Sequence, residues 1–247
     1  MNTELFSQKA VIYDEIRPKY AATMMDFLAE HERLRGKTIA DVGAGTGIFS
    51  RQLAELGNQV FAIEPNDDMR QVMSEQGQGA KTGITVVNGS AENTGLPDKS
   101  VDAVCAAQAF HWFDGQAFAR ECQRILRAGN KVYLTWNNDD RDRKNDDFQS
   151  IISYYCTITF KNNDTEEKIR QFYEDYEIYK FENPIIHSKP DFVKSVLSRS
   201  YAPKPQDAAY NDFVREIEIY FDRHNTDGYI TLKNFSVLYI GNMRKIK

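Results

Sequence analysis

Asp41-Val42-Gly43-Ala44-Gly45-Thr46-Gly47 decides how the rest of the chain is read. Three glycines alternate with small residues, directly after the apolar run Ile39, Ala40, Val42 and directly before a helical pattern. That is the strand–loop–helix mouth of an α/β sheet, where the backbone can approach a ligand closely. The next apolar run, Val60-Phe61-Ala62-Ile63, closes on Glu64. Strand, glycine loop, helix, strand and acid in that order describe a pocket for a nucleoside-containing cofactor.

Outward from the loop the chain alternates. Ile39–Val42 reads as a first strand. Phe49, Leu53 and Leu56 mark a helix running to Gly57. Val60–Glu64 reads as a second strand, and Asn66 can cap the helix that carries Met69 and Val72. Ile84–Val87 and Val101–Ala107 read as third and fourth strands. Phe118, Cys122, Ile125 and Leu126 form a further helix closed by Gly129, and Val132–Trp136 a fifth strand. Helical crossovers of this length imply parallel pairing, and near-continuous apolar strands imply a sheet covered on both faces. Upstream, Met24, Met25, Phe27 and Leu28 fit a helix on one sheet face. Downstream, residues 137–149 read as a loop or hinge and 150–175 as a helical cap. A strand is expected near Ile178–Ile186, interrupted by Pro184 and Pro190. Helices are expected at Asp191–Ser200 and Asp207–His224. The segment Ile230–Ile240 has no helix long enough after it for another crossover, so it is expected to run antiparallel. The expected layout is one domain over 1–247: an N-terminal lid and helix at 1–36, a cofactor-binding core at 37–137, a cap insertion at 138–175, and strands and helices at 176–247 that complete the sheet.

Three cofactor classes compete for the loop. A phosphate-binding Walker loop needs a lysine that is absent, since Ile48-Phe49-Ser50 follows Gly47. A dinucleotide loop wants G-x-G-x-x-G, but this spacing is G-x-G-x-G, with Ile48 where the third dinucleotide glycine would stand. S-adenosylmethionine has no phosphate. Its amino-acid part can lie on bare glycine backbone, its ammonium can meet Asp41, and its ribose diol can meet Glu64. The plain alternative for Glu64 is a solvated charge at a strand end.

At this point the residues resemble the class I S-adenosylmethionine-dependent methyltransferases. Within them the chain looks like the small-molecule type 11 group, which includes relatives of trans-aconitate methyltransferase. The resemblance runs from about Ile39 to Trp136. Asp41–Gly47 resembles the cofactor loop, Glu64-Pro65-Asn66 the ribose-binding strand end, and Gly89-Ser90-Ala91-Glu92 the adenine loop. Ala107-Gln108-Ala109-Phe110-His111-Trp112-Phe113 resembles the segment after the fourth strand. Arg124–Gly129 resembles a helix end that usually carries a second glycine, where this chain has Asn130. The resemblance implies an α/β fold: a Rossmann-like, seven-stranded, mostly parallel sheet with one antiparallel strand, helices on both faces and a helical lid or cap. It implies a cofactor site of Asp41, Gly43, Ala44, Gly45, Gly47, Glu64, Pro65, Asn66, Met69, Ser90, Ala91, Glu92, Gln108, Ala109 and Trp112. Tyr13, Arg17 and Tyr20 would belong to a lid over that site. Ser90 stands where the family often has an acid, so Ser90 and Ala91 are expected to act through their backbone. Met69 serves equally well as plain core.

Methyl transfer from a sulfonium is an in-line displacement, so the acceptor must be held on the axis opposite sulfur with water excluded. A hydroxyl or ammonium acceptor needs a base, and a carboxylate or thiolate does not. His111 follows the fourth strand and is the candidate base; ordering its own loop is the competing role. Trp112 and Phe113 would shape the pocket near the sulfonium, or in the case of Phe113 join the core. Trp136 and Asn137 end the fifth strand on the same rim. Arg17, Arg141 and Arg143 could meet an acidic substrate, and Tyr154, Tyr155 and Phe160 could line an apolar acceptor pocket; a surface role and core packing are the plainer alternatives. The function expected is methyl transfer to a small-molecule acceptor, with S-adenosylhomocysteine as product. A non-catalytic S-adenosylmethionine-binding protein and a nicotinamide-dependent oxidoreductase are the alternatives.

The 247 residues carry a net charge of −5 without a dense basic block, which disfavours nucleic acid. No apolar stretch approaches a membrane span. Cys105, Cys122 and Cys156 have no metal-ligand spacing and read as small core hydrophobes. Their odd number, with no leader evident, suggests a reducing cytoplasm. No metal is expected, and nothing marks an oligomeric interface.

Overall fold

The computed structural model describes residues 17–76, 83–129, 131–139, 147–156, 163–199 and 202–244. Helix α1 (Ala22–Glu30) leads into β1 (Thr38–Val42), α2 (Ile48–Glu55), β2 (Gln59–Ile63), α3 (Asp67–Gln76), β3 (Ile84–Val87) and β4 (Ala103–Ala107). A short 3-10 turn (Phe110–Trp112), α4 (Gly115–Ile125) and β5 (Val132–Asp139) follow. The later elements are α5 (Asp147–Tyr155), α6 (Asn163–Phe172), β6 (Tyr173–Glu182), β7 (Ile185–Ser188), α7 (Lys189–Leu197), α8 (Tyr210–His224), β8 (Tyr229–Leu232) and β9 (Asn234–Met243).

Seven strands form one sheet in the order β3-β2-β1-β4-β5-β9-β6. The first five pair in parallel, and β9 runs antiparallel between β5 and β6. The order reverses between β1 and β4, so the ends of these two strands open the crevice where such sheets take ligands. Strand alternation sends side chains to two cores. Ala40, Val42, Val104, Ala106, Val132 and Leu134 pack with α4 and α6, while Ile39, Val60, Ala103, Cys105 and Tyr133 pack with α1 and α2. All three cysteines are buried thiols, as read from the sequence.

Several boundaries differ from the sequence reading. Residues 137–139, expected in a loop, extend β5, because Asn137, Asn138 and Asp139 pair with Ser236, Phe235 and Asn234 of β9. Polar residues at the end of a sheet lose no backbone hydrogen bonds by continuing it. Helix α4 closes at Ile125 rather than Gly129: Leu126 is already extended and bridges Val101. Gly129, at φ +82°, makes the turn into β5 instead. The strand expected at 178–186 is two strands in different sheets, parted at Asn183-Pro184, and 230–240 is likewise divided at Lys233. Strands β7 and β8 pair with each other in a separate two-stranded sheet.

The cap also divides differently. Of the described residues in 138–175, those of α5 and Cys156 join a separate third core, where Ile152 clusters with Phe192, Val196, Phe213, Ile217, Ile230 and Leu232 of α7, α8 and β8. Helix α6 returns to the sheet, with Ile169 and Phe172 buried against Phe110 and Phe118. The third core is therefore discontinuous in sequence, assembled from 147–156 and from residues between 185 and 232. Tyr13, Arg141, Arg143 and Phe160 lie outside the described residues.

Glu121 on α4 fixes the loop before β4. It accepts bonds from the Thr94 amide (2.8 Å) and hydroxyl (2.5 Å), and from the Arg124 guanidinium. Removing it leaves the buried Thr94 amide and hydroxyl without their acceptor. Glu121→Ala should cost about 2–4 kcal/mol in urea unfolding, and Glu121→Gln clearly less.

Candidate functional site

The glycine loop is held from three sides. The amides of Gly43 and Ala44 both donate to the Ile63 carbonyl, at 2.8 and 3.0 Å, tying the loop to the end of β2. A Cβ on Gly43 would stand 2.6 Å from the Ala109 methyl and 3.1 Å from the Phe113 ring, so the turn after β4 packs directly on the bare backbone. Gly47, at φ +85°, packs against Met73 of α3. By contrast, a Cβ on Gly45 would meet nothing within 4 Å, although its φ of +58° favours glycine. Two of the glycines thus serve close packing, and the middle one faces open space. Helix α2 begins here on Gly47 without a side-chain cap.

Two carboxylates flank this loop. Asp41, on β1, is fully buried. Its Oδ2 accepts from the Ser50 hydroxyl at 2.5 Å, while its Oδ1 has no partner among the described residues. Burial, eased by the Ser50 bond and added to by the nearby Glu64 charge, pushes the Asp41 carboxyl up to about 7. The Thr46 hydroxyl is likewise buried without a partner. Glu64, directly after β2, spans the neck of the loop: its Oε2 accepts from the Gly45 amide and its Oε1 from the Asn66 amide, each at 2.9 Å. Burial raises its carboxyl, opposed by those two amides and by Arg70. It is therefore a built-in part of the loop and not a solvated strand-end charge.

The remaining candidates fall around this centre in groups. Asn66 caps α3 by accepting from the Met69 amide at 2.9 Å, as read from the sequence. Met69 is buried beside Val72, and Pro65 is half-buried between the acid and the cap. Ser90 spends its hydroxyl on its own turn, accepting from the amides of Glu92 and Asn93 at 3.3 and 3.2 Å. Ala91 is buried in the first core, and Glu92 accepts from the Asp114 amide at 3.2 Å, which links the Ser90 turn to the start of α4. Gln108 stands at φ +57° at the end of β4 and donates from its side chain to the Asn137 carbonyl. Ala109 lies against Gly43.

His111 and Trp112 form the turn beyond. Burial, then the Lys168 charge, lower the His111 imidazolium below its usual value, so the ring is neutral near pH 7. Lys168 of α6 donates to the His111 carbonyl at 3.1 Å. The Trp112 ring lies 5.0 Å from the His111 ring and is half exposed, whereas Phe113 is core.

Some candidates stand elsewhere. Tyr20 is buried edge-on against Phe49 of α2, so its ring supports the loop's helix from within the second core. Arg17 is half-buried at the start of the described chain. Trp136 does not sit on an open rim: strand alternation turns it into the first core, perpendicular to Tyr239. Tyr154 is 80% exposed, and Tyr155 packs on Phe213 in the third core. Sequence reading missed Ser50, which holds Asp41; its place one turn into α2 was the available signal. It also missed Lys168, which only the return of α6 brings to His111. Among the described residues no helix is long and apolar enough to cross a membrane, and no group of three His, Cys, Asp or Glu side chains could hold a metal ion.

Residues 40–134 match the family profile of a methyltransferase domain. Over that stretch the chain is similar to methyltransferase domains. A solved structure from Anaeromyxobacter dehalogenans, assigned as a type II methyltransferase, superposes with TM-score 0.72 over 92% of this chain and 97% of its own, at 21% identity. That likeness establishes the seven-stranded methyltransferase fold. An uncharacterized methyltransferase of Mycobacterium tuberculosis is 36% identical over 135 residues, covering 55% of this chain and 53% of that protein. The matched stretch thus spans about half of that relative. A methyltransferase-like protein of Schizosaccharomyces pombe is 26% identical over 81% of this chain and 89% of its own. An N-methyltransferase of Haemonchus contortus, solved with phosphomonomethylethanolamine and S-adenosylhomocysteine, superposes with TM-score 0.54 over 96% of this chain and 58% of its own, at 18% identity. The profile match spans the methyltransferase core, β1 to β5, and ends before the third core begins.

The buried Asp41 sets a pH dependence for the ligand-free domain. Its folded pKa is raised, so the native state holds a proton that the unfolded chain releases, and stability falls as pH rises from the unfolded value of 3.8 through about 7. Asp41→Asn should therefore melt higher than wild type, by a margin that opens between pH 4 and pH 7 and is level above. Equal melting curves at pH 8 would show that Asp41 is not held in this way.

Proposed function

We propose that the chain transfers the methyl group of S-adenosylmethionine to a small-molecule acceptor. The observation that carries this is Asp41: a fully buried carboxylate with one oxygen held by Ser50 and the other without a partner among the described residues, directly before a glycine loop whose middle residue faces open space. An unpartnered buried carboxylate oxygen is costly, and a ligand cation is the partner it lacks. The residues present fit this cofactor. Asp41 would hold its ammonium, the backbone at Gly43–Gly47 its amino-acid part, and Glu64 its ribose diol. Each Glu64 oxygen accepts a single amide and retains a further acceptor site, so the carboxylate can serve the loop and a diol together. Pro65, Asn66, Met69 and the Ser90–Glu92 turn would flank the adenine.

When bound, the cofactor supplies a methyl group on a sulfonium, ready for in-line displacement. The chain's own work is to orient and to exclude water. His111 is neutral near pH 7 and can take a proton from a hydroxyl or ammonium acceptor. Its backbone bond to Lys168 equally supports a role in ordering the turn. The acceptor atom, whether oxygen, nitrogen or carboxylate, belongs with the third core and the N-terminal segment. In this reading residues 1–36 supply an N-terminal lid and helix α1, 37–137 hold the cofactor, and the parts beyond 137 choose the acceptor. A small-molecule acceptor fits the absence of a dense basic block, and a cytoplasmic setting fits three thiols. The N-methyltransferase of Haemonchus contortus supports use of this cofactor; its phosphorylated acceptor is its own.

Titration of the folded protein with S-adenosylmethionine and S-adenosylhomocysteine tests the reading. Binding of neither overturns it, and binding without turnover across an acceptor screen favours a non-catalytic binder. Glu64→Gln should weaken S-adenosylhomocysteine by about tenfold or more, roughly 1.4 kcal/mol, with the fold retained. His111→Ala should lower turnover with cofactor affinity nearly unchanged if it is the base, and an equal loss of both marks it as an ordering residue.

A further inference from the structure

A group of polar side chains at the carboxyl end of β5 is bonded to the chain entering α1. Asn137 donates from Nδ2 to the carbonyls of Pro18 (3.1 Å) and Lys19 (3.2 Å). Its Oδ1 accepts from the Ser236 hydroxyl at 2.6 Å and from Nδ2 of Asn183 at 3.2 Å. Asn183 also donates to the Lys19 carbonyl at 2.8 Å, and Ser236, fully buried on β9, accepts from the Ala21 amide at 2.9 Å. Three side chains from β5, β9 and the junction after β6 therefore converge on the backbone of residues 18–21.

That backbone leads to the cofactor loop. Between the clasped residues, Tyr20 is bonded twice by Gln52 of α2: its amide donates to Oε1 and its carbonyl accepts from Nε2, both at 2.9 Å. Its ring rests on Phe49, in the first turn of α2 beyond Gly47. On the other side, the Asn137 carbonyl accepts from Gln108, whose neighbour Ala109 packs on Gly43. Asn137 is thus bonded to both supports of the loop, the segment behind α2 and the turn after β4. A sheet needs none of these bonds, because β5 and β9 already pair through their backbones.

We propose that Asn137 and Ser236 are positioning residues for cofactor binding: they clasp residues 18–21 to the ends of β5 and β9 and so hold the two supports of the glycine loop in register. The inference rests on the cofactor reading above. It acts through Tyr20 and Gln108, with neither Asn137 nor Ser236 touching the cofactor. Breaking the clasp should free the N-terminal approach while the sheet stays paired.

The test uses Asn137→Asp, which keeps shape and the acceptor but loses both donors to the Pro18 and Lys19 carbonyls, and Ser236→Ala, which removes the acceptor of the Ala21 amide. Asn242→Ala serves as control, since it deletes an exposed bond to Asp175 at the opposite end of β9. Full-length protein is titrated with S-adenosylhomocysteine, and amide hydrogen exchange is followed. Both clasp variants should lose about tenfold in affinity and exchange about tenfold faster at Tyr20 and Ala21, with Leu134 and Leu238 unchanged. Wild-type affinity in both clasp variants overturns the proposal. So does an equal affinity loss in Asn242→Ala, or faster exchange spread evenly over β5 and β9, because either marks general loosening. Wild-type protein that binds no S-adenosylhomocysteine overturns the cofactor reading itself, and the clasp's role in binding with it.

Discussion

Gly43 has no side chain, and the architecture of the site depends on that. Its α-carbon lies so close to the turn after β4 that an added methyl would reach within 2.6 Å of Ala109. This contact closes the loop of β1 onto the end of β4 at the reversal of strand order. With the Gly43 and Ala44 amides on the Ile63 carbonyl, it leaves the loop little freedom. Asp41 can then be buried beneath the loop, and Glu64 can reach up to the Gly45 amide. The two acids do different work. Glu64 has both oxygens engaged with backbone amides and stiffens the neck. Asp41 has one oxygen engaged, and burial holds its carboxyl near 7.

Around this centre the molecule divides its tasks. The two cores on the faces of the sheet support the loop: one carries Phe110, Phe113 and Phe118 under the turn after β4, the other Tyr20, Phe49 and Leu53 under α2. The third core, built on Phe192, Phe213 and Phe221, contributes no residue to either of them. The sheet with its glycine loop and the third core can then vary separately, which agrees with a family match that covers residues 40–134 and stops short of the third core.

Much of the first unit was legible in the chain. Ile39 to Glu64 could be read as strand, loop, helix, strand and acid because each step rests on local chemistry: apolar runs, glycines at positive φ, a capping Asn66. The antiparallel run expected within 230–240 is β9, which lies between β5 and β6. Other readings failed for a shared reason. Polar Asn137–Asp139 look like loop, yet they continue β5 because β9 offers partners across the sheet. Trp136 looks like a rim residue, yet alternation along an extended β5 turns it inward. Helix α6 looks like cap, yet Ile169 and Phe172 find their apolar partners on the sheet.

The sequence by itself determined the class of sheet, the place of the glycine loop and the identity of the two acids beside it, because residue type and spacing along a few turns of chain carry that information. Tertiary structure decided how those acids are used. Ser50 silences one oxygen of Asp41 while the other is left unpartnered, Glu64 is taken up by Gly45 and Asn66, Lys168 reaches His111, and Asn137 meets Pro18 and Lys19 more than a hundred residues away in the chain. Burial and hydrogen-bond geometry arise only when distant segments meet, and these set protonation, orientation and restraint within the site.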